Sequence, residues 1–93
     1  MFRESNRKTK FFIENKTSAE LNVYWINYDG EDVFYKKVNA GDVFKQNTFV
    51  SHPWKITNSS GEVIKIVYPK SKDTIMSIDS NHDVSYKDLP PKN

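Results

Sequence analysis

The stretch LNVYWINYDGEDVFYKKV, residues 21–38, reads as two short strands around one tight turn. Leu21–Asn27 is rich in β-branched and aromatic side chains, which suit a pleated, half-buried surface. Asp29-Gly30 follows, and glycine takes the positive backbone angle that a tight turn needs. In Val33–Val38, simple alternation puts Phe34 and Val38 on one face and Tyr35 and Lys37 on the other. A strand with one buried and one wetter face is predicted.

The same punctuation recurs outward from this hairpin, at Asn39-Ala40-Gly41, Ser59-Ser60-Gly61, Pro69 to Lys72 and Ser80-Asn81. Between these signals lie further strand-like segments at Lys10–Glu14, Val43–Phe49, Pro53–Thr57, Val63–Tyr68, Thr74–Ile78 and Val84–Tyr86. Short strands at this spacing, with no helical stripe and no internal repeat, predict an all-β chain, a seven- to eight-stranded β-sandwich or a small barrel. The near-continuous apolar run Val63, Ile64, Ile66, Val67, Tyr68 predicts a strand covered on both faces.

Ninety-three residues suffice for one domain, expected over residues 9–89, with flexible ends at 1–8 and 90–93. An aromatic content of 14% lets a small core be built from a few large rings. The net charge of only +2 comes from 14 basic and 12 acidic residues dispersed along the chain, which argues against a nucleic-acid partner. No apolar run approaches membrane-spanning length and no signal-peptide core appears, so an intracellular, cytoplasmic protein is expected, with no membrane partner. On that basis the sequons Asn15-Lys16-Thr17 and Asn58-Ser59-Ser60 read as chance matches.

Catalytic chemistry finds no foothold. The chain has no cysteine and three glycines, and neither a nucleophile elbow nor a phosphate loop. His52 and His82 lack metal-ligand spacing with another histidine or a carboxylate, so no metal and no cofactor is expected. The informative stretch is Val23 to Ile56, which holds Trp25, Trp54, Tyr28, Tyr35 and His52. On strands, Trp25 shares a face with Asn27, and His52 with Trp54. Large rings beside polar groups can line a binding pocket. The same rings can equally be sandwich packing, and alternation alone does not decide between them.

The spacing of these residues carries a resemblance. Trp25-Ile-Asn-Tyr-Asp-Gly-Glu31, then Tyr35, Gly41, Thr48 and His52-Pro-Trp54, is similar to the von Hippel–Lindau (VHL) β-domain family. That family has Trp-x-Asn-Phe-Asp-Gly-Glu, then Tyr, Gly, Ser and His-x-Trp. Asn15-Lys-Thr-Ser18 resembles the family's Asn-Arg-Ser turn, and Leu89-Pro90 its closing Leu-Pro. The resemblance implies a β-sandwich that binds an extended peptide and recognises 4-hydroxyproline within it. Trp25, Tyr35 and Trp54 would wall the pyrrolidine ring, while Thr48 and His52 would hydrogen-bond its hydroxyl.

Departures from the family pattern bear on partners. Thr48 stands where the family has Ser, Asn47 where it has His, and Phe44-Lys45 where it has an Arg pair. The resemblance stops before the helical α domain through which the family binds elongin C, so elongin C binding is not expected from this chain. A peptide-binding module is the leading expectation. A structural or assembly sandwich is the first rival. An oligonucleotide-binding barrel using Tyr24, Tyr28, Phe34 and Tyr35 as stacking platforms is the second.

Overall fold

A computed structural model describes residues 7–89. The strands are β1 (Lys8–Asn15), β2 (Leu21–Ile26), β3 (Asp32–Val38), β4 (Val43–Phe49), β5 (Trp54–Thr57), β6 (Val63–Val67), β7 (Thr74–Ile78) and β8 (Val84–Asp88). They form two four-stranded sheets, ordered β4-β1-β7-β8 and β3-β2-β5-β6, with no helix among the described residues. Every pairing is antiparallel except that of β1 with β7. The expected sandwich is therefore the observed architecture. The ends expected to be flexible fall largely on residues 1–6 and 90–93, outside the described residues, and β1 begins at Lys8.

The core follows from period-two alternation. Phe11, Ile13, Met76 and Ile78 point inward from one sheet, and Leu21, Val23, Val38, Trp54, Ile56 and Val67 from the other. Burying such side chains contributes about 1.5–3 kcal/mol each, and this closes the two sheets on one another.

Hairpin geometry comes from one turn used three times. Asn27, Asn58 and Asp79 each accept, through a side-chain oxygen, the backbone N–H groups two and four residues ahead. The fourth residue of each turn has a positive φ: Gly30 at 81°, Gly61 at 89° and His82 at 62°. Short polar side chains that mimic a backbone turn specify these connections locally.

Asn15 plays a different part. Fully buried at the end of β1, it donates through Nδ2 to Ala19 O (2.8 Å) and Val38 O (2.9 Å). Its Oδ1 accepts from Thr17 N (2.9 Å) and lies 2.7 Å from Thr17 Oγ1. The side chain thus ties the β1–β2 connection to the end of β3. Both amide hydrogens are engaged, so the first sequon presents no accessible acceptor in the fold.

Two expectations from alternation are corrected. Opposite β2, the register of β3 slips between Val23, which faces Lys36, and Tyr24, which faces Phe34. Tyr35 is the extra residue of this bulge, and parity reverses across it. Val38 consequently packs in the core while Phe34 lies on the outer face against Tyr24, with ring centroids 5.7 Å apart. The apolar run of β6 is not covered on both faces either. β6 is an edge strand, with Val63 53% and Ile66 39% exposed. Composition reports apolarity, but position within the sheet decides coverage.

Candidate functional site

β3 and β4 are edge strands of opposite sheets, joined by the turn at 39–42. Between them the sandwich opens into a concavity of about 290 Å³. Trp25, Tyr35, Thr48, His52 and Trp54 all line it, as do Tyr28, Gln46, Asn47 and Phe49. The five side chains singled out by spacing therefore converge on one surface.

Each arrives by a different local route. Trp25 and Trp54 are direct cross-strand partners of β2 and β5, so both rings project from the inner side of their sheet. Tyr35 reaches inward because it is the bulge residue. Its ring meets Trp54 edge-on, centroids 4.8 Å apart at 82°, from the far side of β2. Thr48, opposite Thr9 of β1, comes from the other sheet.

His52 does not lie on a strand, as alternation with Trp54 had suggested. Pro53 lacks an N–H to continue a ladder, and β5 starts only at Trp54. The preceding turn is pinned from outside: Ser51, at φ 70°, donates through its N–H to Pro69 O (2.9 Å), and Val50 N to Arg7 O (2.9 Å). This seats a buried His52 against the flank of Trp25, ring centroids 6.2 Å apart and 24° from parallel.

The polar partners are also distributed differently from the strand-parity expectation. Asn27 uses its amide within its own turn and on Glu31 Oε1. Trp54 Nε1 donates to Thr48 Oγ1 at 3.0 Å. Only 2% exposed, Trp54 is both a core residue, 5.4 Å from the ring of Phe11, and a wall of the concavity. The bland and functional readings of this tryptophan are therefore compatible.

Sequence reasoning did not place Gln46 or Phe49 here. Phe49 adjoins His52, ring centroids 5.2 Å apart, because the turn brings His52 N within 3.2 Å of Phe49 O. Ser51 and Pro53 are the sequence signals for that turn, but they do not indicate which side chains it brings together. Tyr28, part of the informative stretch but not among the five residues singled out by spacing, packs edge-on against both Trp25 and His52. A smaller concavity of about 210 Å³ lies on its other side, lined by Trp25, Ile26, Tyr28, His52 and Pro53 among others.

The stacking platform itself is divided. Tyr24 and Phe34 lie on the outer face, whereas Tyr28 and Tyr35 line the mouth of the sandwich. A strand tracking one surface does not meet all four. Among the described residues no cluster of histidine and carboxylates has the make-up to hold a metal, and no helix is long and apolar enough to cross a membrane.

Comparison with known proteins adds three findings. The family model of the VHL beta domain matches residues 2–68. No curated protein matches the chain. Among solved structures, pneumolysin is similar in fold, with a TM-score of 0.56 at 12% identity, over 92% of this chain and 24% of that one. An NMR structure of a protein from Eubacterium rectale aligns with a TM-score of 0.44 at 17% identity, over 99% of this chain and 98% of that one. The chain thus spans about a quarter of the length of pneumolysin, and at this identity the likeness concerns the sandwich alone.

Proposed function

The chain belongs to the VHL β-domain family, and from that premise we propose that it is a non-catalytic peptide-binding module reading 4-hydroxyproline in an extended partner segment. The observation that carries this reading is the convergence of Trp25, Tyr35, Thr48, His52 and Trp54 on one concavity. Its volume, about 290 Å³, sits at the lower edge of the ~300–1,000 Å³ of small-molecule sites, so it suits one side chain rather than a cofactor.

The walls and the polar groups have separate tasks. Trp25, Tyr35 and Trp54 offer flat apolar surface to a rigid pyrrolidine ring. Thr48 and His52, both buried, offer hydrogen bonds to a hydroxyl on that ring. A hydroxyl taken out of water needs partners, and so do the groups that meet it. With plain proline these two side chains are desolvated without a ligand partner, at about 1–3 kcal/mol per group. A preference of at least about tenfold for the hydroxylated peptide is expected. Tyr35, half exposed at the concavity, would meet a peptide backbone carbonyl.

The experiment is a calorimetric titration with matched proline and 4-hydroxyproline peptides. Tighter binding of the hydroxylated peptide is the expected result. Equal affinities would return the aromatic cluster to sandwich packing and leave the rival reading, a structural module, in place.

A further inference from the structure

We propose that the opposite mouth of the sandwich, between β6 and β8, is a second binding site, one for a small aromatic carboxylate. The proposal stands on its own cavity and does not rest on the hydroxyproline reading.

The sheet orders leave four edge strands, β3 and β4 at one side and β6 and β8 at the other. The second pair opens over a concavity of about 300 Å³, which shares no lining residue with the first. Phe11 and Trp54, ring centroids 5.4 Å apart, stand between the two, Trp54 lining the first and Phe11 the second.

The floor of this cavity is core. Phe11 and Met76 are almost wholly buried, and Val67 projects inward beside Trp54, its cross-strand partner. Tyr86 is the partner of Met76 across β7 and β8, so its ring faces the same inner side. No strand lies beyond β8, and the rings of Tyr86 and Tyr68 are left more than half exposed at the mouth. The backbone that carries Tyr68 and Lys70 is anchored. Pro69 O accepts from Ser51 N (2.9 Å), and Lys70 O accepts from Thr9 Oγ1 (2.7 Å). A site held in this way is largely pre-formed, which spares a ligand much of the cost of ordering it.

The lining sets the chemistry of the ligand. Three rings and the Met76 thioether favour a flat aromatic group, through ring-edge and sulfur–ring contacts. The volume lies at the lower edge of the ~300–1,000 Å³ of small-molecule sites, which suits one ring on a short chain. Lys70 is the one charged side chain in the lining. It is exposed, and among the described residues it joins no ion pair. Of the acids beside β7 and at the end of β8, Asp73 pairs with Lys10 (3.6 Å) and Asp88 lies 3.3 Å from Thr74 Oγ1. An unopposed ammonium beside an apolar cavity selects a single negative charge.

The test uses 3-phenylpropionate and its neutral amide as probes. Met1 and Met76 are the only methionines, so a methyl-labelled spectrum holds two signals, and Met76→Leu assigns them. Titration with 3-phenylpropionate should move the Met76 methyl signal saturably, with a dissociation constant of about 1 mM or tighter. The amide should bind about three- to fivefold more weakly. Lys70→Gln, an exposed change that leaves the core intact, should erase that difference. Tyr86→Ala should weaken both probes. No saturable movement of the Met76 signal would overturn the site. Equal affinities for acid and amide in the unmutated domain, or a preference that survives Lys70→Gln, would overturn the carboxylate assignment and leave a plain apolar socket.

Discussion

The indole N–H of Trp54 and the hydroxyl of Thr48 join the two sheets at 3.0 Å, β5 to β4, at the floor of the concavity. Both residues are buried, so folding stability depends on this hydrogen bond, and under the proposed function recognition would depend on it too.

Thr48→Val nearly preserves volume but removes the acceptor of a buried indole N–H. It should abolish any preference for hydroxyproline and also lower stability by about 1–3 kcal/mol. Thr48→Ser keeps the hydroxyl and should retain the preference. Urea unfolding alongside peptide titration of both variants checks this. A fully stable Thr48→Val protein would show that the interior bond contributes nothing.

The apolar wall is better tested at Tyr35 than at Trp54. Trp54→Ala empties a core position and should cost about 3–5 kcal/mol of folding energy, which would mask any effect on binding. Tyr35 is 46% exposed, and its edge-on contact with Trp54 contributes only about 0.5–1.5 kcal/mol. Tyr35→Ala should therefore stay folded while weakening hydroxylated and plain peptides to a similar degree. Selective loss of one peptide alone would argue against a common ring wall.

Asn15→Ala should be among the most damaging single changes outside the apolar core. It removes both donors and the acceptor of a buried amide, leaving Val38 O and Thr17 N without that partner. A loss of about 2–4 kcal/mol is expected, read as a lower thermal midpoint. An unchanged midpoint would mean that water replaces the side chain.

His82→Gly should stabilise the domain. His82 holds φ 62° at the turn position where the other two hairpins have glycine. An L-residue in that conformation is strained by about 1–2 kcal/mol, partly offset by the greater freedom of glycine in the unfolded chain. A net gain of about 0.5–1 kcal/mol follows. Neutral or lower stability would show that the His82 side chain makes a compensating contact.

Local sequence determined what depends on near neighbours. The eight strands, the glycine turns at 30 and 61, and the inward positions of Ile13, Val23 and Ile56 all follow from alternation and turn chemistry, which act over a few residues. The spacing of Trp25, Tyr35, Thr48, His52 and Trp54 likewise identified the residues that meet in the concavity. Tertiary structure alone decided the rest. The bulge at Tyr35 reversed the parity of β3, and edge placement left β6 exposed. The partners of the two tryptophans also differ from strand parity, His52 rather than Asn27 stacking on Trp25 and Thr48 rather than His52 bonding Trp54. These outcomes depend on which strands become neighbours and how two sheets face each other. Contacts between distant residues set that arrangement, and a period of two along the chain carries no record of it.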